Sequence, residues 1–129
     1  MSNMRIENHV IKAKRFLATL KKLDYAEDSE TIIEILVMAS SHYANAAMHK
    51  LRTIPEDRDI KHNHMAGIIK REKTLGDKSE EVSELIHQIK QFRPSYVYGK
   101  ADNERFVKKC KEAFDRIQQV CEEILNEQS

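Results

Sequence analysis

At 129 residues the chain has the size of one domain, and a globule of that length buries roughly two-thirds of the surface its unfolded form exposes. Charged residues reach 33% and hydrophobic ones 40%, which excludes a disordered segment, while 3 glycines and 2 prolines are too few for the many turns of an all-β fold. The 22 basic and 21 acidic residues leave a net charge of +1, which excludes a sustained positive coat for nucleic acid and leaves room only for a local basic patch.

The first helix is expected over about Met4 to Leu23. Ile6, Val10, Ala13, Phe16, Leu17 and Leu20 recur at three- and four-residue spacing, with Glu7, Lys12, Arg15, Lys21 and Lys22 on the other side. The stretch YAEDSE breaks it, and Asp28 or Ser29 can cap the next helix. This long second helix runs over about Ser29 to Ile54. Its first half, TIIEILVMAS, is apolar nearly all round, as expected of the central helix of a bundle. Its second half, SHYANAAMHKL, is rich in small residues that let another helix approach closely, from the same chain or from a second subunit. Pro55 is expected to stop it.

PEDRDIKHNH reads as a polar connector. A short helix carrying Met65, Ile68 and Ile69 comes after it, ending near Gly76 as its C-cap. Asp77 and Glu80 resemble a capping box for a fourth helix with the stripe Val82, Leu85, Ile86, Ile89 and Phe92, which Pro94 ends at Arg93. After the loop RPSYVYGKADN, a last helix holds Phe106, Val107, Cys110, Ala113, Phe114, Ile117, Val120, Cys121, Ile124 and Leu125 on one face. Cys110 and Cys121 share that stripe, but about 16 Å of helix axis separates them, too far for a disulfide. They read as reduced core thiols. The expectation is a five-helix, up-and-down, all-α bundle, residues 1–129 forming a single domain. No stretch has the length of a membrane span and MSNMRIENHV lacks the apolar centre of a signal peptide, so the expected compartment is the cytoplasm.

Four groups of residues carry possible chemistry. His42 and His49 share a face of the second helix, yet their backbones stand about 10 Å apart, too far to chelate one metal together. With Asn45 they read as a polar, subunit-facing surface, so these three are the expected interface of a homodimer. Asp57, Asp59, His62 and His64 have the composition of a metal site without a fixed ligand spacing, and read as solvated loop residues. The Lys and Arg pairs at 14–15, 21–22, 70–71 and 108–109 read as solvated faces. No metal, cofactor or catalytic residue is expected. In the fourth group, Arg93, Tyr96, Tyr98 and Lys100 combine charge with stacking surface and suit contacts to phosphate and base; the tyrosines also suit a plug at the end of the bundle, and Arg93 a helix cap.

Through SHYANAAMHKL on a long second helix, and RPSYVYG ahead of the last one, the chain resembles the HEPN superfamily, the nucleotide-binding domain shared by higher eukaryotes and prokaryotes. The resemblance covers the helix order over most of the chain. It implies a compact bundle that pairs as a two-fold dimer. Many members are metal-independent ribonucleases with an arginine followed a few residues later by a histidine; others bind nucleotides or RNA, or partner a nucleotidyltransferase in toxin–antitoxin pairs. Arg93 matches the arginine, but Tyr98 stands where the histidine would begin, and Gly99 and Lys100 come next. A phenol titrating near pH 10 cannot exchange protons at neutrality as imidazole does, so general acid–base cleavage loses its group. Three functions remain: a non-catalytic HEPN-like module binding a nucleotide, RNA or partner protein; a ribonuclease toxin with a degenerate motif; and a plain helical-bundle interaction protein.

Overall fold

The computed structural model describes residues 4–92 and 100–127, and these form five α-helices with no strand among them. They are α1 (Met4–Leu20), α2 (Ser29–Leu51), α3 (Met65–Glu72), α4 (Ser79–Gln91) and α5 (Lys100–Asn126), with a 3-10 turn at Gly76–Lys78 leading into α4. No helix among the described residues is long and apolar enough to cross a membrane.

Helix α2 is the hub, packing against α1, α4 and α5, while α4 also packs on α3 and α5. The reason lies in its sequence. Ile32, Ile33, Leu36, Val37 and Ala39 bury in several directions in its first half, and Ala44, Ala46 and Ala47 are fully buried in its second. The small residues are therefore covered within the chain. Tyr43 is the largest wholly buried side chain of α2, and its ring tilts against that of Phe114 on α5 at 6.2 Å. Its hydroxyl donates to Glu122 Oε2 at 3.1 Å and accepts from Gln118 Nε2 at 3.2 Å, so no polar atom of it is stranded. Cys110 and Cys121 are free and buried on α5, where burial pushes both thiols up to about 12.

The helix ends depart from expectation. Pro55 does not stop α2. Arg52 does, in the left-handed region at φ 59°, with its N–H donating to the His49 carbonyl and the Thr53 N–H reaching back to Met48. Helix α3 stops before Gly76, because Lys73 turns left-handed at φ 51°. Gly76, at φ 64°, opens the 3-10 turn instead. Asp77 falls inside that turn and caps nothing as a box; the Ser79 hydroxyl accepts from the Leu75 N–H at 2.8 Å. Asp28 precedes α2 without a side-chain cap bond. The break there is built by Asp24, whose Oδ1 accepts the N–H groups of Ala26 and Glu27.

Candidate functional site

Helix α1 and helix α2 lie side by side, and the connector between α2 and α3 crosses their shared edge. That arrangement brings together residues far apart in the sequence. His9 sits on the apolar stripe of α1, one turn before Ala13, and points into the seam with α2. There its Nδ1 lies 2.9 Å from His42 Nδ1, and its Nε2 lies 2.9 Å from Asp59 Oδ1. His49 Nε2 reaches the same Asp59 oxygen at 2.8 Å, and Arg5, one turn before His9 on α1, reaches it at 3.1 Å. The rings of His9 and His49 stack at 5.9 Å, and Phe16 stacks on His42 at the same distance, so the cluster has an aromatic wall.

Asn45 fixes the connector. Its Nδ2 donates to the Ile60 carbonyl at 2.9 Å and to the Ser41 carbonyl at 3.1 Å, and its Oδ1 accepts the Ile60 N–H at 2.8 Å. Asn45 thus pairs with the Ile60 backbone much as a neighbouring strand would, which holds the adjacent Asp59 against the two imidazoles. Asp59 is therefore no freely solvated loop residue. Of the other connector residues singled out, Asp57 and His64 are exposed and outside the cluster, and His62 has a buried Nδ1 without a partner.

Charge and burial divide within this group. The His9 and His49 side chains are 8% and 4% exposed, whereas Asp59 is 38% and Arg5 41% exposed, so two imidazoles form the floor and a carboxylate with a guanidinium forms the mouth. Burial is the main cause lowering His9, opposed by Asp59; burial, with His9 and Lys12 nearby, lowers His42 to about 4. Burial alone would raise Asp59, but hydrogen bonds from His49 and His9 outweigh it and hold the carboxyl well below its usual range. The result is that His9 and His42 stand as neutral imidazoles beside an ionised carboxylate. His42 Nδ1–H then donates to His9 Nδ1, His9 Nε2–H donates to Asp59, and every proton in the chain has an acceptor. One ligand atom from each of His9, His49 and Asp59 lies within 4.8 Å of the others, close enough to share a cation.

His42, Asn45 and His49, the expected dimer surface, face α1 and the connector of their own chain. Asn45 is 2% and His49 9% exposed. Arg93, Tyr96 and Tyr98 lie outside the described residues, and of Lys100 only its place as the first residue of α5 is described. On either side of those residues, Phe92 and Phe106 stack at 5.0 Å, joining the end of α4 to the first turns of α5.

A different surface lies on the outer side of α1. Between residues 4 and 23 the basic residues are Arg5, Lys12, Lys14, Arg15, Lys21 and Lys22, and Glu7 is the only acid. All six cations are exposed, and apart from Arg5 none is in an ion pair among the described residues. Lys14 and Lys21, with Lys111 and Gln118 of α5, rim a cleft of about 470 Å³ floored by Leu17, Leu20 and Phe114. Comparison with protein-family models, with curated proteins and with solved structures finds no match to this chain.

Proposed function

We propose that the chain is a non-catalytic, HEPN-like binding module whose ligand carries phosphate, as a nucleotide or an RNA strand. The observation that carries the reading is the exposed face of α1. Lys12, Lys14 and Arg15 on α1, and Lys21 and Lys22 in the turn that follows it, have no ion pair among the described residues, so they form a local positive patch in a molecule whose net charge is +1. The cleft between α1 and α5 adds lysines over an apolar floor, a combination suited to a phosphate with an apolar or aromatic body. The resemblance in RPSYVYGK points the same way, with Arg93 as a bidentate phosphate donor, Lys100 as a looser charge, and Tyr96 and Tyr98 as stacking groups. Tyr98 in the place of a histidine favours binding over cleavage.

A homodimer belongs to this reading. Its most suitable surface is not the inward-facing His42, Asn45 and His49. Ile11 of α1 is 46% exposed, and the adjoining cleft of about 610 Å³ presents Ile6, Val10 and Leu125.

The test is fluorescence anisotropy with a labelled single-stranded RNA, and calorimetry with a nucleoside triphosphate, across a salt series. Each phosphate contact to a single strand contributes about 0.7 to the slope of log affinity against log salt. Replacing Lys12, Lys14 and Arg15 together by Ala should flatten that slope by roughly 2 and weaken RNA binding at least about ten-fold. Loss with the nucleotide but not with RNA, or the reverse, identifies which ligand uses this face. Unchanged affinity for both in the folded triple variant, or no binding by the unmodified chain at low salt, would remove the proposal.

A further inference from the structure

We propose that His9, His49 and Asp59 form a binding site for a borderline divalent metal ion, zinc foremost, with His42 as the group that orients His9. This site is independent of the phosphate-binding face on α1.

The chemistry of the donor set comes first. Two imidazole nitrogens and one carboxylate oxygen suit zinc and its neighbours better than calcium or magnesium, which prefer oxygen shells. The distances fit as well. In a tetrahedral zinc site with bonds of about 2.0–2.1 Å, neighbouring ligand atoms stand roughly 3.3 Å apart. Here the imidazole nitrogens lie 2.9 and 2.8 Å from Asp59 Oδ1, and one ligand atom of each residue is within 4.8 Å of the rest. A shift of a few tenths of an ångström by the half-exposed carboxylate opens room for the ion.

The surroundings are built in the way metal ligands are usually supported. A ligating histidine needs its second ring nitrogen protonated and held. His9 has His42 Nδ1 at 2.9 Å on that side, so with Nε2 on the metal it carries its proton on Nδ1 and donates it to His42. The carboxylate, which comes from a connector, needs a fixed backbone, and the Asn45 bonds to both polar groups of Ile60 supply one. The imidazoles are buried on two helices while the carboxylate faces solvent, which leaves an entry path and a fourth position for water. Arg5 is the resident competitor. Its guanidinium sits 3.1 Å from the same oxygen, on a side chain exposed enough to swing aside.

The experiment is a zinc titration at pH 7.5 against a chromophoric chelator, paired with thermal melts with and without zinc. The proteins compared are the unmodified chain and the variants Asp59→Asn, His42→Asn, Arg5→Ala and His64→Gln. The unmodified chain should take up a single equivalent of zinc and melt higher with it. Asp59→Asn, at an exposed position that should leave folding intact, should abolish the melting shift. His42→Asn should weaken binding by about 10–100-fold, the usual effect of losing a partner that orients a ligand. Arg5→Ala should bind zinc more tightly, because the competing cation is gone, and His64→Gln should match the unmodified chain. Cobalt should bind in zinc's place with the visible absorption of a tetrahedral site. The proposal fails if zinc leaves the melt unchanged, if Asp59→Asn binds as the unmodified chain does, or if His64→Gln loses the ion.

Discussion

His42 shows how a single residue's environment sets its chemistry. On sequence it is a polar residue on a helix face; in the fold it is half-buried between Phe16 and His9, and its conjugate acid is disfavoured down to about 4. The groups facing it are His9 and Lys12 from α1 and Asp59 from the connector, two cationic when protonated and one anionic. A histidine held neutral in the folded state but free to protonate in the unfolded chain gives stability that is complete above about pH 6.5 and is lost as the pH falls through about 4. His9 shifts in the same direction and adds to the loss. In the presence of a chelator, the melting temperature should therefore decline from pH 6.5 downward. His42→Asn, which cannot take up that proton, should show a shallower decline over the same range. Parallel curves for the two proteins would show that His42 has no part in the acid sensitivity.

Element by element, helical periodicity makes the helices legible, because an apolar stripe at 3.6-residue spacing has few other uses in a small domain. The ends are less legible. Arg52 and Lys73 are not residue types that favour the left-handed region, yet they end α2 and α3 there, ahead of Pro55 and Gly76. What fixes those ends is tertiary: the Thr53 hydroxyl donates to the Thr74 carbonyl at 2.7 Å, drawing the two helix exits together. The small residues of α2 carry the element's own prediction. Ala47 is fully buried in the core cluster, so Ala47→Leu should destabilise by about 1–3 kcal/mol through overpacking, measured by urea denaturation. Ala18→Leu, on the exposed side of α1, should stay within about 0.5 kcal/mol of the unmodified protein. Equal effects at the two sites would mean that α2 has slack around Ala47 that its burial does not suggest.

For the whole molecule, the all-α bundle with a central second helix is readable in the chain, while the cluster at its edge is not. His42 and His49 are visible as a pair on one face, but His9 is hidden by lying on an apolar stripe between Ile6 and Ala13. A histidine on the buried face of an amphipathic helix, opposite two more on the hub helix, is the available signal. The polar neighbours of Asp59 make it look solvated, and nothing local reveals that Asn45 reaches across 15 residues to hold the next backbone unit in place. Periodicity reports which side of a helix is buried; it does not report which buried sides meet.

That Asn45 contact has a consequence for how the molecule breathes. Between residues 54 and 63 the connector has no helix or sheet of its own, and apart from Ile60 only the Arg58 amide is bonded, to the carbonyl of Pro55 in an exposed turn, so these amides should trade hydrogen for deuterium almost as fast as an unfolded peptide. The Ile60 amide differs, since its hydrogen points at a side-chain oxygen on a nearly inaccessible asparagine. Exchange followed by NMR should find it slow among fast neighbours, opening only when the connector lifts from α2. In Asn45→Ala, provided the core amides of α2 remain protected, that one slow signal should join the rest, turning a tethered segment into an untethered one without unfolding the bundle beneath it.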